Sequence, residues 1–165
     1  MQKTLAIQQA DTKTKIGVDF HGVINTKPDF FREFCRAALK IGLEVYIISG
    51  GPRETILSYL NQYQIPYTKL WCIFDYYEQR HQVEFYDDGS FRIDDELWNK
   101  AKAEYCKEQN ICIHIDDSAI YGREFVTPYC RYDEQSNSCV LNGQQIYLAN
   151  PAQALSQILA LCRQK

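Results

Sequence analysis

Nowhere does the chain carry an apolar run approaching the roughly 18 residues that a membrane-spanning helix requires. No membrane partner is expected, although hydrophobic residues fill 45% of the 165 positions. Positive charge is not in excess: 18 Lys and Arg against 21 Asp and Glu leave a net charge of -3. The basic footprint selected by a nucleic-acid backbone is missing, so no nucleic-acid partner is expected. The seven cysteines are odd in number and include no CxxC pair, which argues against a complete disulfide framework and a zinc ribbon. Buried, reduced thiols in a cytoplasmic protein are the simpler reading, with a Cys/His metal site assembled from distant segments left open. Residues 1–15 are polar and lack the apolar stretch of a signal peptide. Repeats, low-complexity tracts and Pro/Gly/Ser linkers are also missing, so residues 15–165 read as one domain behind an amino-terminal arm, residues 1–14.

What is present is an alternation of two patterns. Residues 16–20, 45–48, 70–74 and 111–115 are short apolar runs rich in β-branched or aromatic side chains, the signature of strands buried on both faces. Helical patterns separate them. Pro28 opens the first, with Phe30, Phe34, Ala38 and Ile41 inward and Gly42 as its stop. Pro52 opens the second, with Ile56, Leu57, Leu60 and Tyr63 as its stripe. Asp94, Asp95 and Glu96 put negative charge at the start of a third, whose inner face is Leu97, Trp98, Ala101 and Tyr105. Asn150 caps a last helix opening at Pro151. Such alternation predicts a doubly wound α/β fold, a parallel sheet covered on both sides. Residues 82–94 depart from it, with Val83, Phe85, Phe91 and Ile93 alternating around Asp88-Gly89, and read as a β-hairpin insertion.

In open α/β sheets, ligands bind beyond the carboxyl ends of the strands. Here those ends carry Asp19-Phe20-His21-Gly22, Ser49-Gly50-Gly51 and Asp116-Asp117-Ser118. A carboxylate at one strand end and a pair at another suit a hard cation such as Mg2+, which prefers oxygen ligands and a substrate phosphate. Ser49 and the amide of Gly50, at a helix start, suit an anion. Lys102 lies nearer the inner face of the third helix than Lys100, which makes it the better candidate for a charge that reaches inward.

Asp19 with Gly22 and Val23, then Ser49 after an apolar strand, then a lysine, then Asp116-Asp117 after another apolar strand resemble the haloacid dehalogenase (HAD) superfamily. The resemblance covers most of residues 15–117. The stretches EVYIISGGPRETILSYLNQYQIPYTKL and KAEYCKEQNICIHIDDS are similar to small nucleotidase-type phosphatases of that superfamily. It implies a Rossmann-like HAD core and a Mg2+-dependent phosphohydrolase acting on a small phosphorylated molecule. On that resemblance Asp19 is the nucleophile that becomes an aspartyl phosphate. Ser49 and Lys102 contact and neutralise the phosphoryl group. Asp19, Asp116, Asp117 and the backbone carbonyl of His21 hold the metal.

The sequence departs from the superfamily at His21, where its phosphatases carry a second aspartate as general acid and base. An imidazole can do acid/base work near neutral pH, but its shape and charge differ from a carboxylate's. A weak or specialised phosphohydrolase is therefore one reading. The alternative is a non-catalytic HAD-like binding or regulatory domain that keeps the metal site. His114, alternating with Ile113 and Ile115, reads as a core histidine, and His81 as a surface residue. Tyr76, Tyr77, Tyr86 and Tyr121 are candidates for a substrate opening.

Overall fold

The computed structural model describes residues 12–163; most of the expected arm therefore lies outside the described residues. Strands β1 (Lys15–Val18), β2 (Glu44–Ser49), β3 (Lys69–Cys72), β6 (Ile111–Asp116), β7 (Tyr129–Asp133), β8 (Ser138–Leu141) and β9 (Gln144–Tyr147) form one sheet, ordered β3-β2-β1-β6-β7-β8-β9. Pairing is parallel from β3 across to β7 and antiparallel for β8 and β9. The fold is thus mixed α/β with a mostly parallel sheet. The hairpin is real but short, pairing β4 (Glu84–Phe85) with β5 (Phe91–Arg92) apart from the sheet.

Strand alternation divides the core between two faces. Ile16, Val18, Val45, Ile47, Ile113 and Ile115 point to one side, against Phe31, Phe34 and Ala38 of α1 (Pro28–Lys40), Ile56 and Leu60 of α2 (Arg53–Gln62), and α6 (Pro151–Cys162). Tyr46 and Ile48 point to the other, against Tyr105 and Cys106 of α4 (Asp95–Glu108), together with Ile111, which a register shift at the start of the β1–β6 pairing separates from the face of Ile113 and Ile115. Asp94 caps α4 by accepting from the amides of Glu96 and Leu97, an interaction typically worth about 1 kcal/mol.

Several boundaries differ from expectation. The run at 70–74 is strand only to Cys72; Ile73 and Phe74 begin helix α3 (Ile73–Glu78), because a short apolar run does not by itself separate strand from buried helix. The first strand ends at Val18, and Asp19 and Phe20 enter a turn that closes as a 3-10 segment, Ile24–Thr26. In α1 the inward residues are Phe31, Phe34, Cys35 and Ala38, while Ile41, just past the helix, is 61% exposed. Leu97 lies on the exposed side of α4. Pro52 caps α2 instead of opening it. Strands β7 to β9 were not among the expected elements.

Candidate functional site

Strands β2, β1 and β6 lie side by side and parallel, so their carboxyl ends share one edge and deliver Ser49, Asp19 and Asp116 to it. The crossover from β1 to β2 passes through α1 on one face, and that from β3 to β6 through α4 on the other. The chain therefore switches direction beside β1, where a crevice opens in such sheets.

Lys102 organises the centre. It is 2% exposed, and its Nζ lies 2.9 Å from Asp19 Oδ1 and 2.7 Å from Asp116 Oδ2. Lys100 instead pairs with Glu96 on the helix surface, so the inward lysine is Lys102. Asp19 Oδ1 also accepts the Phe20 amide at 2.7 Å, and Oδ2 carries no hydrogen bond among the described residues. Asp116 is held at both oxygens: Oδ2 also accepts from His114 Nε2 at 3.0 Å, and Oδ1 from the Ser118 amide at 3.0 Å. His114 is fully buried, as expected for a core residue, with its ring stacked on Phe125. Its bond to Asp116 ties it to the site. The signal was available, because residues two apart on a strand share a face.

One ligand oxygen from each of Asp19, Asp116 and Asp117 lies within 4.8 Å of the others. The donor set is all carboxylate oxygen, which fits a hard divalent cation, and a single ammonium is left to balance three acids. Burial, together with the charge of Asp116, pushes the Asp19 carboxyl up to about 7, against the opposing pull of Lys102. Burial also disfavours the charged form of Asp116, but Lys102 and His114 outweigh it and hold that carboxyl below the usual range. For Lys102, burial works against the ammonium, and the two carboxylates overcome it and raise its pKa.

Backbone geometry completes the arrangement. Gly22 has φ +78, and a Cβ there would come within 2.2 Å of Asp117 Oδ2, so the turn after β1 seats directly against this carboxylate. The amides of Val23, Ile24 and Asn25 take the carbonyls of Phe20 and Asp19; the His21 carbonyl accepts no hydrogen bond among the described residues. The His21 side chain is exposed at the mouth, with Nδ1 3.3 Å from the buried Ser49 Oγ. Partial burial and Lys102 lower its pKa, which favours the neutral ring. Gly50 is packed by Trp98, whose ring would lie 3.0 Å from a Cβ at that position. Trp98 in turn donates from Nε1 to Tyr121 OH at 2.7 Å, and the Tyr121 ring lies 5.0 Å from Lys102 Nζ.

The residues proposed from sequence thus converge: Asp19, His21, Ser49, Gly50, Lys102, Asp116 and Asp117 occupy one edge of the sheet. No family model, curated protein or solved structure matches the chain. Among the described residues no helix is long and apolar enough to cross a membrane. Of the tyrosines, Tyr121 reaches the site, whereas Tyr76 and Tyr77 pack in and around a cluster formed by Ile73, Ile93 and Ala101. His81 is exposed, as expected.

Proposed function

We propose that this chain is a HAD-like phosphohydrolase that cleaves a small phosphomonoester with the help of Mg2+. The observation carrying the reading is Lys102, buried and shared between Asp19 and Asp116, with Asp117 completing a carboxylate cluster at the strand ends. A lysine fixed between two acids has the form of a pre-built charge for an incoming phosphoryl group. The central position of β1, with β2 and β6 beside it, also suits a Rossmann-like HAD core.

Asp19, Asp116, Asp117 and the His21 carbonyl would hold Mg2+, which supplies positive charge against the phosphoryl oxygens. The unpartnered Oδ2 of Asp19 attacks phosphorus, forming the Asp19–O–P bond as the bond to the ester oxygen breaks. The Ser49 hydroxyl and the Gly50 amide hold the phosphoryl oxygens, and Lys102 neutralises charge on them. The protonated fraction of His21, the lesser form near neutral pH because burial and Lys102 lower its pKa, passes a proton to the departing alkoxide. The neutral imidazole then takes a proton from water, which attacks the aspartyl phosphate, releases inorganic phosphate and restores Asp19.

The close contact of His21 with Ser49 favours a second reading, a binding domain in which these two groups satisfy each other. Turnover decides between them. A panel of phosphomonoesters, with and without millimolar Mg2+, should show Mg2+-dependent phosphate release that Asp19→Asn abolishes. Thermal unfolding should also rise with Mg2+, by about 2.7 kcal/mol at a hundredfold excess over Kd. Hydrolysis retained in Asp19→Asn overturns the aspartyl-phosphate route, and absence of any Mg2+ shift overturns the metal assignment.

A further inference from the structure

The hairpin presents an aromatic surface for which the fold itself has little use. Phe85 and Phe91 face each other across its two strands and are 59% and 36% exposed. With four residues in register, this ribbon has no core of its own, and aromatic groups left in water are retained at a cost in solubility. Their neighbours lead back to the phosphate loop. Phe91 lies 4.6 Å from the ring of Phe74 and 6.3 Å from that of Trp98, and Phe85 lies 6.1 Å from Phe74. The Phe74 amide donates to the Gly50 carbonyl at 2.9 Å, and Trp98 packs on Gly50 itself. The whole tract is therefore moored one residue from Ser49.

We propose that the aromatic face formed by Phe74, Phe85, Phe91 and Trp98 is the leaving-group subsite of this centre, fitted to stack a planar aromatic ring carried by the phosphoester. The inference rests on the phosphohydrolase reading and names the substrate class for it. Rings offer flat, polarisable faces that stack on another ring at separations of about 4.5 to 7 Å, which aliphatic walls do not. Charge narrows the choice further. Glu84, opposite Arg92 in the ribbon, with Asp87 and Asp88 in its turn and Asp94 and Asp95 just after it, are exposed and leave the hairpin acidic. That rim repels a polyanion, so the ligand is a single phosphate on an aromatic group, its anion drawn inward to Lys102.

Benzyl phosphate and cyclohexylmethyl phosphate test this directly. Both are esters of primary alcohols with equal carbon number, and they differ in whether the ring is aromatic. With Mg2+, the intact protein should prefer the benzyl ester by about tenfold in kcat/KM. Phe85→Leu and Phe91→Leu, both at exposed sites that keep an apolar side chain, should bring that ratio toward one by lowering kcat/KM for the benzyl ester more than for the cyclohexylmethyl ester. Equal kcat/KM for the two esters in the intact protein overturns the subsite while leaving the phosphohydrolase standing. If neither ester turns over, the phosphohydrolase reading falls. Calorimetric titration of the same esters then reads the subsite alone: tighter binding of the benzyl ester, lost in Phe91→Leu, upholds it, and equal or absent binding overturns it. Comparing phosphotyrosine with phosphoserine, and a purine nucleoside monophosphate with ribose 5-phosphate, separates an aryl from a heterocyclic source of the ring. A patch that instead joins two copies would show as a dimer dissociated by Phe91→Leu with no ring preference, and that result also overturns the proposal.

Discussion

Asp117 Oδ2 stands where a side chain on Gly22 would have to be: a Cβ at that glycine would lie 2.2 Å away. On the proposed metal assignment, the closeness of turn and carboxylate would make Gly22 a determinant of metal affinity with no ligand atom in its side chain. Gly22→Ala must also hold a left-handed φ, which costs about 1 to 2 kcal/mol. Relaxation moves the turn or Asp117, and either movement opens the carboxylate cluster. Mg2+ affinity, read from thermal shifts across a titration, should fall by tenfold or more while the circular dichroism of the metal-free protein is kept. Unchanged affinity would remove Asp117 from the metal set.

Lys102 and Lys100 give opposite predictions from neighbouring positions on one helix. Lys102→Met leaves Asp19 and Asp116 buried without their shared cation, and breaking a buried pair in this way typically costs about 3 to 5 kcal/mol. Much of that loss should be recovered with millimolar Mg2+, because a cation bound by the same carboxylates replaces the missing charge. Urea unfolding in EDTA and in Mg2+ measures both. Lys100→Met removes only an exposed contact with Glu96 and should leave stability and turnover unchanged.

Much of this arrangement was legible in the sequence. Continuous apolar runs ending in Asp19, Ser49 and Asp116 identify buried parallel strands and the ends at which the candidate site lies, because a strand covered on both faces has no polar side to interrupt it. The β7 to β9 meander escaped the same reading since it is covered on one face only. Arg131, Asp133 and Val140 alternate outward between buried Cys130, Tyr132, Cys139 and Leu141, so no continuous run forms. Its signal was Asn142-Gly143, a turn pair whose φ angles of 51 and 75 match the primed hairpin turns. Contacts made across the sheet, such as Gly22 with Asp117 or Trp98 with Gly50, depend on how distant segments meet, and no local pattern encodes them.

Asp19 gives the metal-free protein a pH dependence of definite sign. Its carboxyl rises from 3.8 to about 7 on folding, so between these values the native state holds more protons than the unfolded chain. Asp19 therefore contributes a loss of stability as pH climbs from about 4 to about 7. His21 and His114, whose pKa values are lowered by burial, act in the opposite sense, since each favours the native state as pH rises toward 6.5. The difference between two proteins isolates the Asp19 contribution. In EDTA, Asp19→Asn should gain stability relative to the intact chain steadily over pH 4 to 7, and a difference that stays flat would contradict the burial argument.

On the proposed mechanism His21 acts on the leaving group, a role that would distinguish substrates by the basicity of what departs. An alkoxide needs a proton as the bond to phosphorus breaks, whereas p-nitrophenolate leaves without one. His21→Ala should therefore slow alkyl phosphates by about 10² to 10⁴, the usual worth of a general acid or base, and slow p-nitrophenyl phosphate far less in its first step. Ser49 sharpens the comparison, because its Oγ lies 3.3 Å from His21 Nδ1. Loss of the imidazole frees that hydroxyl, so binding of inorganic phosphate should be kept or strengthened in the same variant. Equal slowing of both ester classes with weakened phosphate binding would instead make His21 a positioning group for Ser49.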